Sequence, residues 1–114
     1  MKLQTGDVVL IRIQFHQVQR SKIRPALVLL DTGEADFVAA PVTSQYRSCK
    51  SDLALADWQA SGLNVPSSAR LHKLTVLPKS DVVRTLGLCS ALDHEAPHAA
   101  LCSTFCPKLS PKSA

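Results

Sequence analysis

The chain has 114 residues, 46% of them hydrophobic, which is enough for one domain that buries about two-thirds of its unfolded surface without disulfides or metal. No apolar run approaches the roughly 18–20 residues of a membrane span, and the first one ends at Arg12, too early for a signal peptide. We therefore expect a cytoplasmic protein with no membrane partner, in which the four cysteines are reduced and mainly structural.

The net charge of +4 is unevenly distributed along the chain. The segments 8–30, 37–51 and 58–80 contain no acidic residue. If they converge in space, they form a basic surface suited to a phosphate backbone or to an acidic protein partner. They carry the following cations: Arg12, Arg20, Lys22, Arg24, Arg47, Lys50, Arg70, Lys73 and Lys79.

The N-terminal part of the chain predicts two strands joined by a polar connection. Residues 8–15 alternate between an apolar face and a face that carries Arg12, and His16 leaves on that second face. A cationic connection over 16–21 follows. Five apolar residues after Pro25 predict a strand over 26–30 that is buried on both faces. Pro25 lacks an N–H and suits the start or edge of this strand, which places Arg24 where the strand meets solvent.

The middle of the chain predicts a third strand and then shorter elements. A turn over 31–36 leads into a strand over 37–43, so that residues 8–43 form an antiparallel meander with Thr43 at its exit. A short strand over 51–56 and a helical turn over 57–62, stopped by Gly62, come next. A strand over 69–77 would place Arg70 and His72 on one face.

The C-terminal part predicts two helices. Ser80 is a candidate N-cap and Gly87 a stop, which indicates a short helix over 80–86. A second helix is expected to begin at Pro97. The chain as a whole is predicted to be mainly β with short helices, a small β-barrel domain over 1–106 followed by a flexible tail over 107–114.

One cluster of metal-binding residue types is set aside. His94, His98, Cys102 and Cys106 recur every four residues, but the first and last would be about 18 Å apart on a helix and cannot share one zinc ion. Cys102 and Cys106 could bind a metal weakly as a pair, although a structural role is favoured. No phosphate-binding or dinucleotide-binding glycine loop is present, so no cofactor is expected.

Six stretches in this order carry a family resemblance: GDVVL at 6–10, KIRPALVL at 22–29, APVTSQ at 40–45, WQASGL at 58–63, ARLHKL at 69–74 and KS at 79–80. Together they resemble the MazF/PemK family of toxin endoribonucleases from type II toxin–antitoxin modules, over about residues 5–90. The resemblance implies an SH3-like barrel with a C-terminal helix that forms a homodimer. It also implies cleavage of single-stranded RNA, without metal, to 2′,3′-cyclic phosphate and 5′-OH ends, and inhibition by a cognate acidic antitoxin.

The resemblance also assigns site residues. The active-site Arg and Thr of the family fall on Arg24 and Thr43. Another branch of the family uses a loop histidine with an Arg and an Asp on the later strand. Arg70 matches that Arg and His16 lies in the corresponding loop, but His72 occupies the Asp position, which leaves the acid and base open. The expected RNA contacts are Arg12, Arg20, Lys22, Ser44, Gln45, Arg47 and Lys73.

These residue types suit the implied chemistry. Transesterification needs a base for the 2′-OH, cationic donors for the phosphorane and an acid for the leaving 5′-oxygen. Arg24 and Arg70 are permanently charged donors, Thr43 adds a neutral one, and His16 and His72 change charge near neutral pH. Two alternatives stay open, because fold does not determine function. One is a toxin of the same fold that poisons a protein such as DNA gyrase, and the other is a catalytically inactive barrel that binds RNA or protein.

Overall fold

The computed structural model describes residues 2–15, 20–45, 52–56, 58–88 and 99. These residues form a seven-stranded antiparallel sheet with two short 3₁₀ turns. The strands are β1 (Asp7–Phe15), β2 (Arg20–Leu30), β3 (Asp36–Thr43), β4 (Asp52–Ala54), β5 (Ser68–Arg70), β6 (Thr75–Pro78) and β7 (Val82–Leu88). The 3₁₀ turns are Leu71–Lys73 and Lys79–Asp81.

The predicted meander β1–β2–β3 is confirmed and forms the centre of the sheet. The strand order is β4-β5-β3-β2-β1-β7, and β6 pairs with the first half of β3. Within the described part of the chain no ladder joins β4 to β7, so the sheet does not close into the predicted barrel. The prediction of a mainly β fold with short helical segments is therefore confirmed.

Both faces of the central strands are buried. Val8 and Leu27 belong to one apolar cluster, whereas their chain neighbours Val9 and Val28 belong to a second one. Successive side chains of a strand point to opposite faces, so each face of the meander has its own core. This explains why the sequence after Pro25 is apolar without alternation.

The strand that carries Arg24 is longer than predicted. β2 begins at Arg20, so Pro25 lies inside the strand and the expectation that Arg24 marks a strand end is wrong. The ladder between β2 and β3 begins only at Ala26, whereas β1 pairs with β2 as far as Arg20. Pro25 therefore sits where β2 has a hydrogen-bonded partner on one side only, which is where a residue without an N–H is tolerated.

The predicted strand over 69–77 is divided in two. β5 ends at Arg70, and Leu71–Lys73 form a 3₁₀ turn before β6 begins at Thr75. Leu71 is fully buried in the first core cluster, and its carbonyl accepts the N–H of Leu74 at 3.2 Å. Burial of this side chain turns the chain out of the sheet, so Arg70 and His72 do not share a strand face.

The helix predicted over 80–86 is wrong. Only Lys79–Asp81 form a 3₁₀ turn, and the next seven residues form β7, which pairs with β1. Ser80 and Gly87 are compatible with helix ends, but Val82, Val83 and Thr85 are β-branched residues that favour a strand. Pairing with β1 satisfies the backbone of both strands, and this tertiary contact decides the outcome.

The turn predicted to stop at Gly62 is confirmed for the described residues 58–62. The N–H of Gly62 donates to the Gln59 carbonyl and the N–H of Leu63 to the Trp58 carbonyl, both at 3.1 Å, the pattern of a Schellman motif. Gly62 has a φ of +88°. A Cβ on Gly62 would lie 2.6 Å from the Leu86 carbonyl oxygen, and one on Gly87 would lie 2.8 Å from that of Ser61. The turn therefore packs backbone to backbone against β7.

Asp31 fixes the turn between β2 and β3. Its carboxylate accepts the N–H groups of Leu3 and Gly33, each at 2.8 Å, and pairs with the Lys79 ammonium at 3.0 Å. These hydrogen bonds, the one from Leu3 foremost, lower the pKa of Asp31 from 3.8 to about 2. One side chain thus connects the N-terminal segment, the turn and the start of the chain leading to β7.

Several predictions fall outside the described residues. They are the C-terminal helix apart from Ala99, which is helical, the tail over 107–114, and the set His94, His98, Cys102 and Cys106. Among the helical segments that the structure does describe, none has the length and hydropathy needed to cross a membrane.

Candidate active site

A cleft of about 740 Å³ opens between β2, β3, β5, β7 and the turn at Gly62. Three of the five predicted catalytic residues, Arg24, Thr43 and Arg70, lie in its wall. Three predicted RNA contacts, Ser44, Gln45 and Lys73, also line it. These residues come from all three segments without acids, so the structure brings those segments together as expected.

Arg24 and Thr43 enter the cleft from neighbouring strands. Ala26 and Pro41 are the last pair of the β2–β3 ladder on this side. Arg24 and Thr43 each lie two residues beyond that pair on their own strands, and both line the cleft. Two adjacent strands therefore contribute a guanidinium and a hydroxyl to the same cleft.

The Thr43 hydroxyl accepts a hydrogen bond from the main chain. It accepts the backbone N–H of Gln45 at 3.2 Å, which holds the Thr43–Gln45 exit of β3 in a turn. A hydroxyl carries one hydrogen to donate besides its lone pairs. Thr43 can therefore still donate to an oxygen of a ligand in the cleft.

Arg70 is part of a polar cluster with Asp52 and His72. Its Nε donates to Asp52 Oδ1 at 3.0 Å, and its Nη2 lies 3.3 Å from His72 Nε2. His72 Nδ1 lies 3.9 Å from the same Asp52 oxygen. Since a guanidinium can only donate, His72 Nε2 must act as the acceptor in this arrangement. His72 and Asp52 are close to Arg70 but are not among the residues that line the cleft.

The opposite wall of the cleft is largely apolar and includes a cation that the sequence analysis missed. Leu10, Leu63, Val65 and Leu86 contribute aliphatic surface. Arg84 of β7, which pairs with Leu10 of β1, adds a fourth cation to the lining. The alternation of residues 82, 84 and 86 could have revealed it, but this stretch was interpreted as a helix.

The charge around the cleft has one sign. Its described lining holds four cations, Arg24, Arg70, Lys73 and Arg84, and no acidic side chain. Lys79, a cation of the third acid-free segment, pairs with Asp31 instead. A cleft lined in this way attracts polyanions such as a phosphodiester chain or an acidic peptide.

The remaining predicted site residues lie elsewhere or outside the described part. Arg12 and Lys22 are exposed on β1 and β2 and do not line the cleft. His16 and Arg47 lie outside the described residues, and Arg20 is described by its backbone only. Their predicted roles stay predictions.

Comparison with known families identifies this architecture. The model of the PemK-like, MazF-like toxins of type II toxin–antitoxin systems matches residues 4–105. The chain belongs to this family. The match covers β1–β7 and hence every described residue of the cleft.

Solved structures of similar fold include other MazF-type toxins. The Mycobacterium tuberculosis toxin MazF-mt6 is 23% identical, with a TM-score of 0.67 over 85% of this chain and 95% of that one. A MazE–MazF structure from Deinococcus radiodurans is 19% identical, with a TM-score of 0.75 over 90% and 95% of the two chains. A mycobacterial endoribonuclease in complex with its cognate antitoxin is 17% identical, with a TM-score of 0.73 over 91% and 95%. A search of curated proteins gave no match.

Proposed function

We propose that this toxin is a metal-independent endoribonuclease that cleaves single-stranded RNA to 2′,3′-cyclic phosphate and 5′-OH ends. The observation that carries the proposal is the common cleft of Arg24, Thr43 and Arg70, whose described lining contains no acid. The family match supports it, and two of the neighbours of similar fold are named as endoribonucleases.

The cleft residues supply the electrostatic part of the reaction. When the 2′-OH attacks the adjacent phosphorus, negative charge accumulates on the non-bridging oxygens of the phosphorane. Arg24 and Arg70 carry planar sets of N–H donors that match two such oxygens. The Thr43 hydroxyl donates a further hydrogen bond from the strand adjacent to that of Arg24. All three stabilise the transition state more than the substrate, which has less charge on these oxygens.

Proton transfer is assigned to His16 and His72. One histidine takes the 2′-OH proton and the other gives a proton to the leaving 5′-oxygen. For this role His72 has to exchange its contact with Arg70 for one with the substrate. We expect a bell-shaped dependence of kcat on pH, and replacement of either histidine by Asn should remove one limb. A profile that is unchanged in both variants would show that other groups carry the protons.

The test is incubation with a mixed-sequence single-stranded RNA in excess EDTA, followed by mapping of the product ends. Cyclic phosphate and 5′-OH ends are expected. Thr43→Val, which keeps the shape of the side chain, should lower the rate about a hundredfold, as for the loss of one transition-state donor. Thr32→Val is the matched control, because Thr32 is exposed in the turn after β2.

Two results would contradict the proposal. Cleavage that Thr43→Val leaves unchanged would indicate a contaminating nuclease or a different site. Absence of cleavage by the wild-type protein would favour the alternatives, a toxin that poisons a protein or an inactive binding barrel. Assays of DNA supercoiling and of RNA binding would then distinguish those two.

The proposed protein partner is an acidic antitoxin segment that occupies the same cleft. The support is the charge of the cleft and the solved antitoxin complexes of two similar toxins. An extended segment with several carboxylates and a few apolar anchors would meet both the cationic and the aliphatic wall. Its association rate should fall steeply with salt. If this peptide and an uncleavable RNA bind at the same time, the antitoxin segment does not inhibit by filling the cleft.

Homodimerisation in the cytoplasm completes the proposal. Val83 and Leu88, both exposed on β7, lie on an outer strand of the described sheet and are candidates for the contact. Light scattering during size exclusion should give twice the mass of the chain, and Val83→Glu should convert the dimer to a monomer. If the wild-type protein is monomeric at micromolar concentration, the proposed homodimer is excluded.

A further inference from the structure

Asp52 is a buried carboxylate that the reaction described above does not use. It lies on β4 directly opposite Arg70 of β5 in the ladder between these strands, and its side chain is only 6% exposed. The Arg70 side chain is 19% exposed and reaches the cleft, whereas Asp52 lies behind it. Asp52 is therefore placed to act on Arg70 and not on a ligand.

The hydrogen bonding of Asp52 is not what a purely stabilising role would require. Oδ1 accepts the Nε–H of Arg70, whereas Oδ2 is buried and receives no hydrogen bond from the described residues. A buried acceptor without a donor destabilises the folded state, and more so when it is charged. A buried ion pair contributes no more to stability than two apolar side chains of similar volume would. The arrangement calls for a function that an apolar pair could not supply.

Asp52 restricts the orientation of the Arg70 guanidinium. An arginine has five N–H donors in one plane. The bond from Nε to Asp52 and the contact of Nη2 with His72 engage two of them, which leaves three for a ligand in the cleft. These two contacts on one edge fix the position and the plane of the guanidinium before a ligand binds. The Asp52 bond remains when His72 turns to the substrate, so Asp52 is the anchor that persists through the reaction.

We propose that Asp52 is a positioning residue that holds the Arg70 guanidinium at the orientation the phosphorane requires. This inference rests on the proposed function. A fixed guanidinium needs no reorganisation during the reaction, whereas a mobile one is productive only part of the time. The carboxylate also places a negative charge behind Arg70, which opposes both the bound RNA and the phosphorane, so the gain in rate has to come from the orientation of the guanidinium. Asp52 therefore lowers the barrier at some cost in substrate affinity.

The test is Asp52→Asn, which keeps the shape and removes the charge. We expect kcat to fall about tenfold to a hundredfold, as for a small misplacement of a reacting group. The Kd for an RNA with a 2′-deoxy substitution at the cleavage site should stay the same or decrease. Loss of folded protein would lower the binding stoichiometry instead, so the fall in kcat with unweakened Kd separates positioning from structure. Asp36→Asn is the matched control, because Asp36 is exposed at the far end of β3.

A double-mutant cycle decides whether Asp52 acts through Arg70. In an Arg70→Lys background, Asp52→Asn should change kcat less than twofold. Equal losses in both backgrounds would overturn the inference, as would a wild-type kcat for Asp52→Asn. If Asp52→Asn does not fold, Asp52→Glu, which keeps the charge and displaces the carboxylate by one methylene, should show the same fall in kcat.

An independent readout separates this inference from the proposed function. The Arg70 Nε–H gives a nitrogen–proton NMR signal whose exchange with water should be slow in the wild-type protein and much faster in Asp52→Asn. Slow exchange in a wild-type protein that does not cleave RNA would refute only the proposed function. Fast exchange in the wild-type protein would refute the positioning role, even if RNA is cleaved.

Discussion

The two aspartates Asp31 and Asp52 have almost fully buried side chains, and each forms an ion pair with a cation. Asp31 lies in the turn before β3, and Asp52 lies on β4. The Asp31 carboxylate receives two backbone N–H groups and the Lys79 ammonium. The Asp52 carboxylate receives the Nε–H of Arg70 on one oxygen, and within the described structure its other oxygen receives nothing. The first site is saturated with donors and the second is not.

This difference indicates that Asp31 stabilises the fold, whereas Asp52 orients a residue of the cleft. A buried carboxylate whose lone pairs are occupied by backbone donors stabilises the segments that supply them. A buried carboxylate bound to a single side chain stabilises mainly the orientation of that side chain. Burial and charge alone would have classified the two aspartates together, and only the count of donors distinguishes them.

The largest expected effect comes from removing a cation of the cleft that has no role in either aspartate site. In the proposed mechanism Arg24 donates to the phosphorane, so Arg24→Ala should lower RNA cleavage by about two to three orders of magnitude. The melting temperature should barely change, because the side chain is exposed. Lys2→Ala, which removes an exposed cation outside the cleft, is the control. Full activity of a folded Arg24→Ala protein would remove Arg24 from the site.

The same substitution at both aspartates tests the comparison directly. Asp31→Asn should lower the melting temperature by several degrees and leave kcat per folded molecule unchanged. Asp52→Asn should lower kcat and change the melting temperature less than Asp31→Asn does, because it removes a charge that was only half compensated. Thermal melts give the melting temperatures of the two variants, and single-turnover kinetics give their rates of cleavage. If both variants lose stability equally and keep kcat, the two sites are alike.

Two glycines with similar backbone angles compare the turn fixed by Asp31 with the turn that packs against β7. Gly33, in the turn fixed by Asp31, has a φ of +94° and open space where a Cβ would lie. Gly33→Ala should therefore cost about 1–2 kcal/mol, from the backbone angle alone. Gly62→Ala meets the same strain and also the Leu86 backbone, so its free energy of unfolding should fall further. If urea denaturation gives the same loss of unfolding free energy for Gly33→Ala and Gly62→Ala, the backbone around Gly62 moves away from β7 at no cost.

The smallest expected effect is a pH dependence confined to the Asp31 site. Its folded-state pKa of about 2 lies below the usual 3.8, so its contribution to stability is complete above pH 3.8 and is lost as the pH falls through about 2. The stability difference between the wild-type protein and Asp31→Asn should accordingly narrow over this range. A difference that stays constant down to pH 2 would show that Asp31 is not specially stabilised as an anion.

The sequence was informative where the signal is local. Alternation in residues 8–15, the apolar run after Pro25 and the turn at Gly33 predicted the meander. The charge pattern indicated a basic surface, on condition that the three segments without acids converge. The helix over 80–86 was wrong because β7 depends on a partner, β1, about 75 residues away along the chain. Arg84 was missed for the same reason. Asp52 could not be recognised either, because its pairing with Arg70 spans 18 residues and depends on the β4–β5 register.

The mutual approach of Gly62 and Gly87 has a consequence for how this cleft can diversify. The turn that forms the apolar wall is held against β7 by main-chain atoms at two positions without side chains. Asn64 and Val65, which follow the turn and line the cleft, are not among the atoms at which the two glycines meet their neighbours. Their side chains can therefore be exchanged while the wall keeps its place. Shape and surface chemistry are thus encoded by different residues, and a new ligand preference can arise by mutation without a new fold.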